Sequence, residues 1–241
     1  MSATWLIAID DTDNLESIGT GRLARMLGDH LVERGALDPP TITRHQLLVH
    51  PDIPYTTHNS SACLSGQGGE DAGDRIVDLA WAFLDENFHE GANPGLCVAR
   101  ADAVPGAAIE TARRAQREVL ALSEFDRDLA EMDLRVRSAG ETGQGRIGAC
   151  AGVALRSTGD DGRFIGLGGI RDLRGALRVS EICARSGVER VVDSDGRPVA
   201  DDELVETRDW VRPSLRGGAA VLVVKQEGGR WTPVEQRTKD D

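Results

Sequence analysis

The sequence predicts an α/β fold: a mixed sheet with helices packed on it, then a smaller α+β portion from about Gly159. Three observations carry this. Thr4–Ile9 is a short apolar run ending in acids, the pattern of a buried strand whose end meets solvent. Helical periodicity alternates with such runs as far as Ser157. Beyond that point the texture changes to short apolar runs separated by glycine turns.

The elements follow in order. Gly19-Thr20-Gly21 opens a helix in which Leu23, Met26, Leu27, His30 and Leu31 make one buried stripe, and Asp38-Pro39-Pro40 stops it. Thr41–His50 reads as a strand. Pro51 and Pro54 then enforce an extended loop before Ala62–Leu64. Glu70–Phe88 is a helix with Ile76, Leu79, Ala80, Phe83 and Leu84 on one side. Asn93-Pro94-Gly95 is a turn before the strand Leu96–Ala99. Ala107–Leu122 reads as a helix, Leu134 and Val136 as a strand, and Ile147–Leu155 as a helix of small residues. In the last third, Leu173–Ser186 reads as helical. Val188–Val192, Ala219–Val224 and Trp231–Val234 read as strands, with hairpin signals at Asp195-Gly196 and Gly228-Gly229. The domain expectation is 1–158 and 159–241.

Composition removes several functions. The 241 residues carry a formal charge of -12, against the clustered cations a sequence-blind nucleic-acid binder needs. Of 28 basic residues only Lys225 and Lys239 are lysines, and neither follows a glycine, so a GK[ST] phosphate loop is absent. Cys63, Cys97, Cys150 and Cys183 stand singly, which excludes a zinc ribbon. No apolar run is long enough to span a membrane and no signal-peptide pattern opens the chain, so the expected compartment is the reducing cytoplasm.

Three stretches could carry chemistry. Asp10-Asp11-Thr12-Asp13-Asn14 puts three carboxylates at a strand end, a repulsive arrangement that a cation such as Mg²⁺ relieves. The alternative is an acidic turn in which Asp13 or Asn14 caps local amides. Gly143-Gln144-Gly145-Arg146-Ile147-Gly148 could bring backbone N–H groups to a phosphate, with Arg146 adding a forked contact; the alternative is a connection that lets a helix pack closely. Tyr55–Ser61 offers seven consecutive hydrogen-bonding side chains, His58 the titrating one.

Together these stretches resemble the N-terminal half of the tRNA-isoleucine agmatinylcytidine synthetase family. The family's GxDDTDS strand end is matched by Ile7–Asn14 and its helix start by Gly19-Thr20-Gly21. Its proline loop is matched by His50–Ser61, its Asn-Pro-Gly by Asn93–Gly95, and its Gly-Arg-Gly-Leu-Ile-Gly-Ala run by Gly143–Ala149. The resemblance implies a kinase-like domain that binds ATP with Mg²⁺ and cleaves it to AMP and pyrophosphate while modifying a tRNA cytidine. It also implies a ferredoxin-like part, expected after Gly159 or else between Ala62 and Leu134. By the same resemblance Asp10, Asp11 and Asp13 hold the metal and take part in catalysis. The resemblance places Thr20, Thr57 and the loop from Gly143 to Gly148 around the same site; Thr12, Asn59 and Arg146 are expected to join them in binding the nucleotide, and His58 or Asn59 is expected to face the acceptor. Thr56 and His58 replace a lysine and an arginine of the family's loop, and Asn59-Ser60-Ser61 replaces Gly-Asn-Gly. The oligonucleotide-binding fold and zinc ribbon of the full-length enzyme are not expected here. The expected partners are therefore ATP and an open acceptor, with tRNA disfavoured by charge and a partner subunit or second copy allowed. The alternative is a nucleotide-binding module or subunit without turnover.

Overall fold

The first apolar run lies within β1 (Ser2–Asp10), where Trp5 to Ile9 are buried. The computed structural model describes residues 1–13, 18–53, 58–207 and 211–234. They fall into two compact units, 1–158 and 159–241. In the first, β1 is followed by α1 (Thr20–Glu33), β2 (Thr41–Gln46), β3 (Ser60–Gly69), α2 (Gly73–Asn87) and β4 (Gly95–Arg100). Then come α3 (Gly106–Ala115), α4 (Leu122–Leu129), β5 (Arg135–Ser138) and α5 (Gly145–Ser157). The strands lie in the order β5-β4-β1-β3-β2, and these neighbours pair antiparallel.

That order corrects one expectation. A βαββαβ run with β4 and β3 flanking β1, and β2 outside β3, is the ferredoxin-like arrangement. It occupies residues 2–100, neither the region after Gly159 nor the stretch from Ala62 to Leu134. Strand pairing across tens of residues is set by which faces must be buried, and no local pattern records it.

Alternation along the strands divides the sheet's two faces. Ala8, Cys63 and Cys97 share a core with Cys150 and Val153 of α5. On the other face Leu64 lies under Gly28 of α1, where an added Cβ would sit 3.4 Å from Leu64 and 3.2 Å from Pro40. That close approach turns α1: Leu23, Ala24, Leu27 and Leu31 are buried, whereas Met26, expected inside, is exposed. In α2 the inward residues are Ile76, Val77, Ala80 and Leu84. The single helix expected over 107–122 is instead two, because the chain leaves α3 after Ala115 and re-enters a helix at Leu122, which carries Phe125 into the core.

The second unit contains β6 (Arg163–Gly166), β7 (Ala176–Arg178), α6 (Val179–Arg185), β8 (Arg190–Val192) and β9 (Leu204–Glu206). β10 (Ser214–Arg216), β11 (Ala219–Glu227) and β12 (Arg230–Pro233) complete it. Their order is β6-β10-β11-β12-β9-β7, with β8 beside β11. The β11–β8 and β12–β9 pairs are parallel and the rest antiparallel, so the protein's strands are mixed. Gly228 and Gly229, at φ 59° and 78°, make the β11–β12 hairpin turn. The region expected to be one helix from Leu173 begins as β7, and α6 supplies only its second half. Among the described residues no helix is long and apolar enough to cross a membrane.

Candidate functional site

The C-terminal end of β1 carries Asp10 beside Gly95 of β4 and next to the start of β3, where Ile9 pairs with Ala62. α5 crosses this end on a stripe of glycines. A Cβ on Gly145 would meet the Asn93 carbonyl oxygen at 2.4 Å and the Asp10 carbonyl oxygen at 2.8 Å. One on Gly148 would lie 1.7 Å from Asp10 Oδ2, and one on Gly152 would lie 2.3 Å from Ser61 Oγ. Hydrogen atoms at 145, 148 and 152 are therefore what let the helix rest on the sheet, and the Asp10 carboxylate occupies the space Gly148 leaves.

After Asp10 the chain turns sharply: Asp11 adopts φ 50°, a left-handed conformation that aspartate takes more readily than most residues other than glycine. Its carboxylate accepts a hydrogen bond from Gln144 Nε2 (3.2 Å) and one from the Asn93 backbone N–H. Thr12 is fully buried and its hydroxyl donates to Thr20 Oγ1 at 3.1 Å. Thr20 donates in turn to Asp13, from its hydroxyl at 3.0 Å and from its N–H at 3.4 Å. Asp13 thus ties the acidic turn to the first residue of α1, and Gly19, at φ 78°, makes the entry into that helix.

The electrostatics push both carboxyls toward their protonated form. Burial, then the charge of Asp11, then that of Asp13, push the Asp10 carboxyl up to about 8; only the Asp11 backbone N–H opposes them. Burial raises Asp11 too, against the hydrogen bonds from Gln144 and Asn93. The oxygen-only donors fit a hard cation. Among the described residues no three His, Cys, Asp or Glu side chains form a ready metal cage. Asp10 and Asp11 thus offer the one or two carboxylates Mg²⁺ takes when water and substrate phosphates complete its shell.

The remaining expected residues are placed differently. Gly143, at φ 60°, closes a turn before α5. The Gly145 N–H is given to Asn93 O (3.0 Å) and the Arg146 N–H to Gly143 O (3.3 Å). The Arg146 guanidinium makes a fork to Asp126 (2.8 Å at both contacts) and also donates to the carbonyls of Thr142 and Gly143. His58 and Asn59 precede β3, whose start borders the acidic end of β1. The Asn59 side chain donates to Leu48 O, and its carbonyl accepts from Leu47 N–H, closing the loop between β2 and β3. Thr57, and Asn14 as a cap of the acidic turn, lie outside the described residues. Gln144 and Asn93 are the site residues that sequence reasoning passed over. Both stand inside stretches that had been singled out, the glycine run and the Asn-Pro-Gly turn.

No family model and no curated protein matches the sequence. Solved structures do. A crystal structure of apo TiaS, a tRNA agmatidine synthetase, aligns with TM-score 0.52 and 22% identity over 63% of this chain and 35% of that one. The fold is TiaS-like. A complex of TiaS with its isoleucine tRNA and ATP aligns with TM-score 0.53 at 22% identity, and one with the tRNA, AMPCPP and agmatine with TM-score 0.51 at 25%. Each match covers 63% of this chain and 36% of the other, so the chain spans about a third of the length of the TiaS structures it matches.

Proposed function

We propose that this chain is an ATP-using, Mg²⁺-dependent enzyme, a TiaS-like catalytic portion whose acceptor is a nucleoside, a small amine or a protein hydroxyl. The observation that carries the reading is the Asp10–Asp11 end of β1, two adjacent carboxyls raised by burial and by neighbouring acids, in a fold shared with a protein solved with ATP. Bound Mg²⁺ would supply charge neutralisation along a phosphate chain, the main demand of chemistry there. Asp10 and Asp11 would hold it. The Thr12–Thr20–Asp13 chain keeps the turn that presents them, and the glycine stripe of α5 fixes the wall behind Asp10. His58, on the loop leading into β3, is the residue this reading assigns to the acceptor side. A cytoplasmic setting belongs to the same reading.

The experiment is incubation of the pure protein with ATP and Mg²⁺ and candidate acceptors. AMP and pyrophosphate support ligase-type cleavage, and ADP supports phosphoryl transfer. Absence of both, with ATP still bound, supports a second reading: a nucleotide-binding subunit without turnover.

A further inference from the structure

Asp11 is held in an unusual way. Its left-handed backbone turns the side chain back toward α5, where Gln144, 133 residues further along, meets it through a neutral amide. The second donor, the Asn93 backbone N–H, is also uncharged. The glycine run this stretch resembles has arginine at this place, which could aim the carboxylate as well, so what the position supplies is a donor that reaches Asp11. Gln144 is itself held in place. It stands at the start of α5, its carbonyl accepts from Ile147 N–H (3.0 Å), and its own N–H is given to Thr142 Oγ1 (3.3 Å). One turn later Gly148 leaves the room that Asp10 fills. The first turn of α5 therefore locates both carboxylates from one rigid element.

We propose that Gln144 is a positioning residue that holds Asp11 beside Asp10 for a shared cation. The proposal rests on the metal–ATP reading above. In this arrangement the glycine run serves the acids of β1, because its Gly145 and Arg146 amides are already engaged within the protein.

The test uses the full chain, Mn²⁺ as the metal probe and ATP as the nucleotide. Gln144→Met keeps the length and removes the donor. The apparent Mn²⁺ affinity in the presence of ATP should fall about tenfold, the loss typical when a partner of a metal ligand is removed. Nucleotide affinity at saturating Mn²⁺ should recover to within about twofold, because the metal is then restored by mass action. A purely structural role for Gln144 would lower the melting temperature without moving the Mn²⁺ dependence. In metal-free melts the cost of Gln144→Met should disappear when Asp11 is already Ala. Wild-type Mn²⁺ dependence in Gln144→Met, or an undiminished melting cost in the Asp11→Ala background, overturns the inference and leaves the functional reading standing. A wild-type chain that binds no Mn²⁺·ATP overturns the reading, and the inference with it.

Discussion

Asp10 is the residue on which the site is most exposed to test. Its folded carboxyl titrates near 8 against 3.8 for the free side chain, so between these values the folded protein keeps a proton that the unfolded chain has lost. This group's contribution to stability is therefore complete below about pH 4 and is lost as pH rises through about 8. We expect the metal-free protein to lose about 2 kcal/mol between pH 5 and pH 8, less than the full shift implies because the strand end relaxes. Asp10→Asn should flatten that profile, and on the proposed reading it should also remove any melting shift that Mg²⁺·ATP gives the wild-type chain. A steep profile that survives the substitution would mean that another group titrates. Gly148→Ala should cost about 1–3 kcal/mol, because the new methyl strikes the Asp10 carboxylate. Urea melts should show that cost reduced when Asp10 is shortened to Gly. The acids and the glycines were legible in the sequence because each stands in a short, distinctive run. The Gln144–Asp11 bond was not, since it joins side chains 133 residues apart.

At the scale of elements, the strands and helices around the site were readable from apolar periodicity, which depends only on neighbours a few residues away. What escaped that reading is long-range: the order of strands, and the outward rotation of Met26 once Gly28 approaches Leu64. The break between α3 and α4 escaped as well: the chain leaves the helix after Ala115, and Phe125 enters the core from a second helix that starts at Leu122. Arg146 shows the consequence for function. The sequence offers it as a phosphate contact, whereas in the fold it joins α5 to α4 through a fork to Asp126, whose carboxyl is held below its ordinary range by that hydrogen bond. A lysine cannot reproduce the fork, so Arg146→Lys should destabilise by about 1 kcal/mol. Asp126→Asn should cost a similar amount, and the double variant less than the two added together. Strict additivity in urea melts would show the pair to be idle.

Over the whole molecule the charge is unevenly shared. Residues 1–158 hold 24 acids against 14 basic residues, and 159–241 hold 16 against 14. The unit with the acidic site thus carries most of the net -12, the sign that repels a phosphate backbone. We expect the chain alone to bind bare tRNA weakly, with a slope of log affinity against log salt shallower than about -2, corresponding to few displaced counterions. Filter binding or fluorescence titration from low to physiological salt checks this. Tight binding with a steep slope would mean that a basic surface patch outweighs the overall charge.

The glycines of α5 have a further effect, on the order in which the molecule assembles. Glycine within a helix is worse than alanine by roughly 1 kcal/mol, and this helix has three in thirteen residues. Such a segment has little tendency to coil in isolation and gains its hydrogen-bonded form only when the sheet is there to receive it. We therefore expect α5 to dock late, after β1, β3 and β4 have paired, and native-state hydrogen exchange to release its central amides together in one undocking step that costs less than global unfolding. The Asp10 and Asp11 carboxyls would then acquire their geometry in the same step, so that a nascent chain passes through most of its folding before these two acids are brought to their final places.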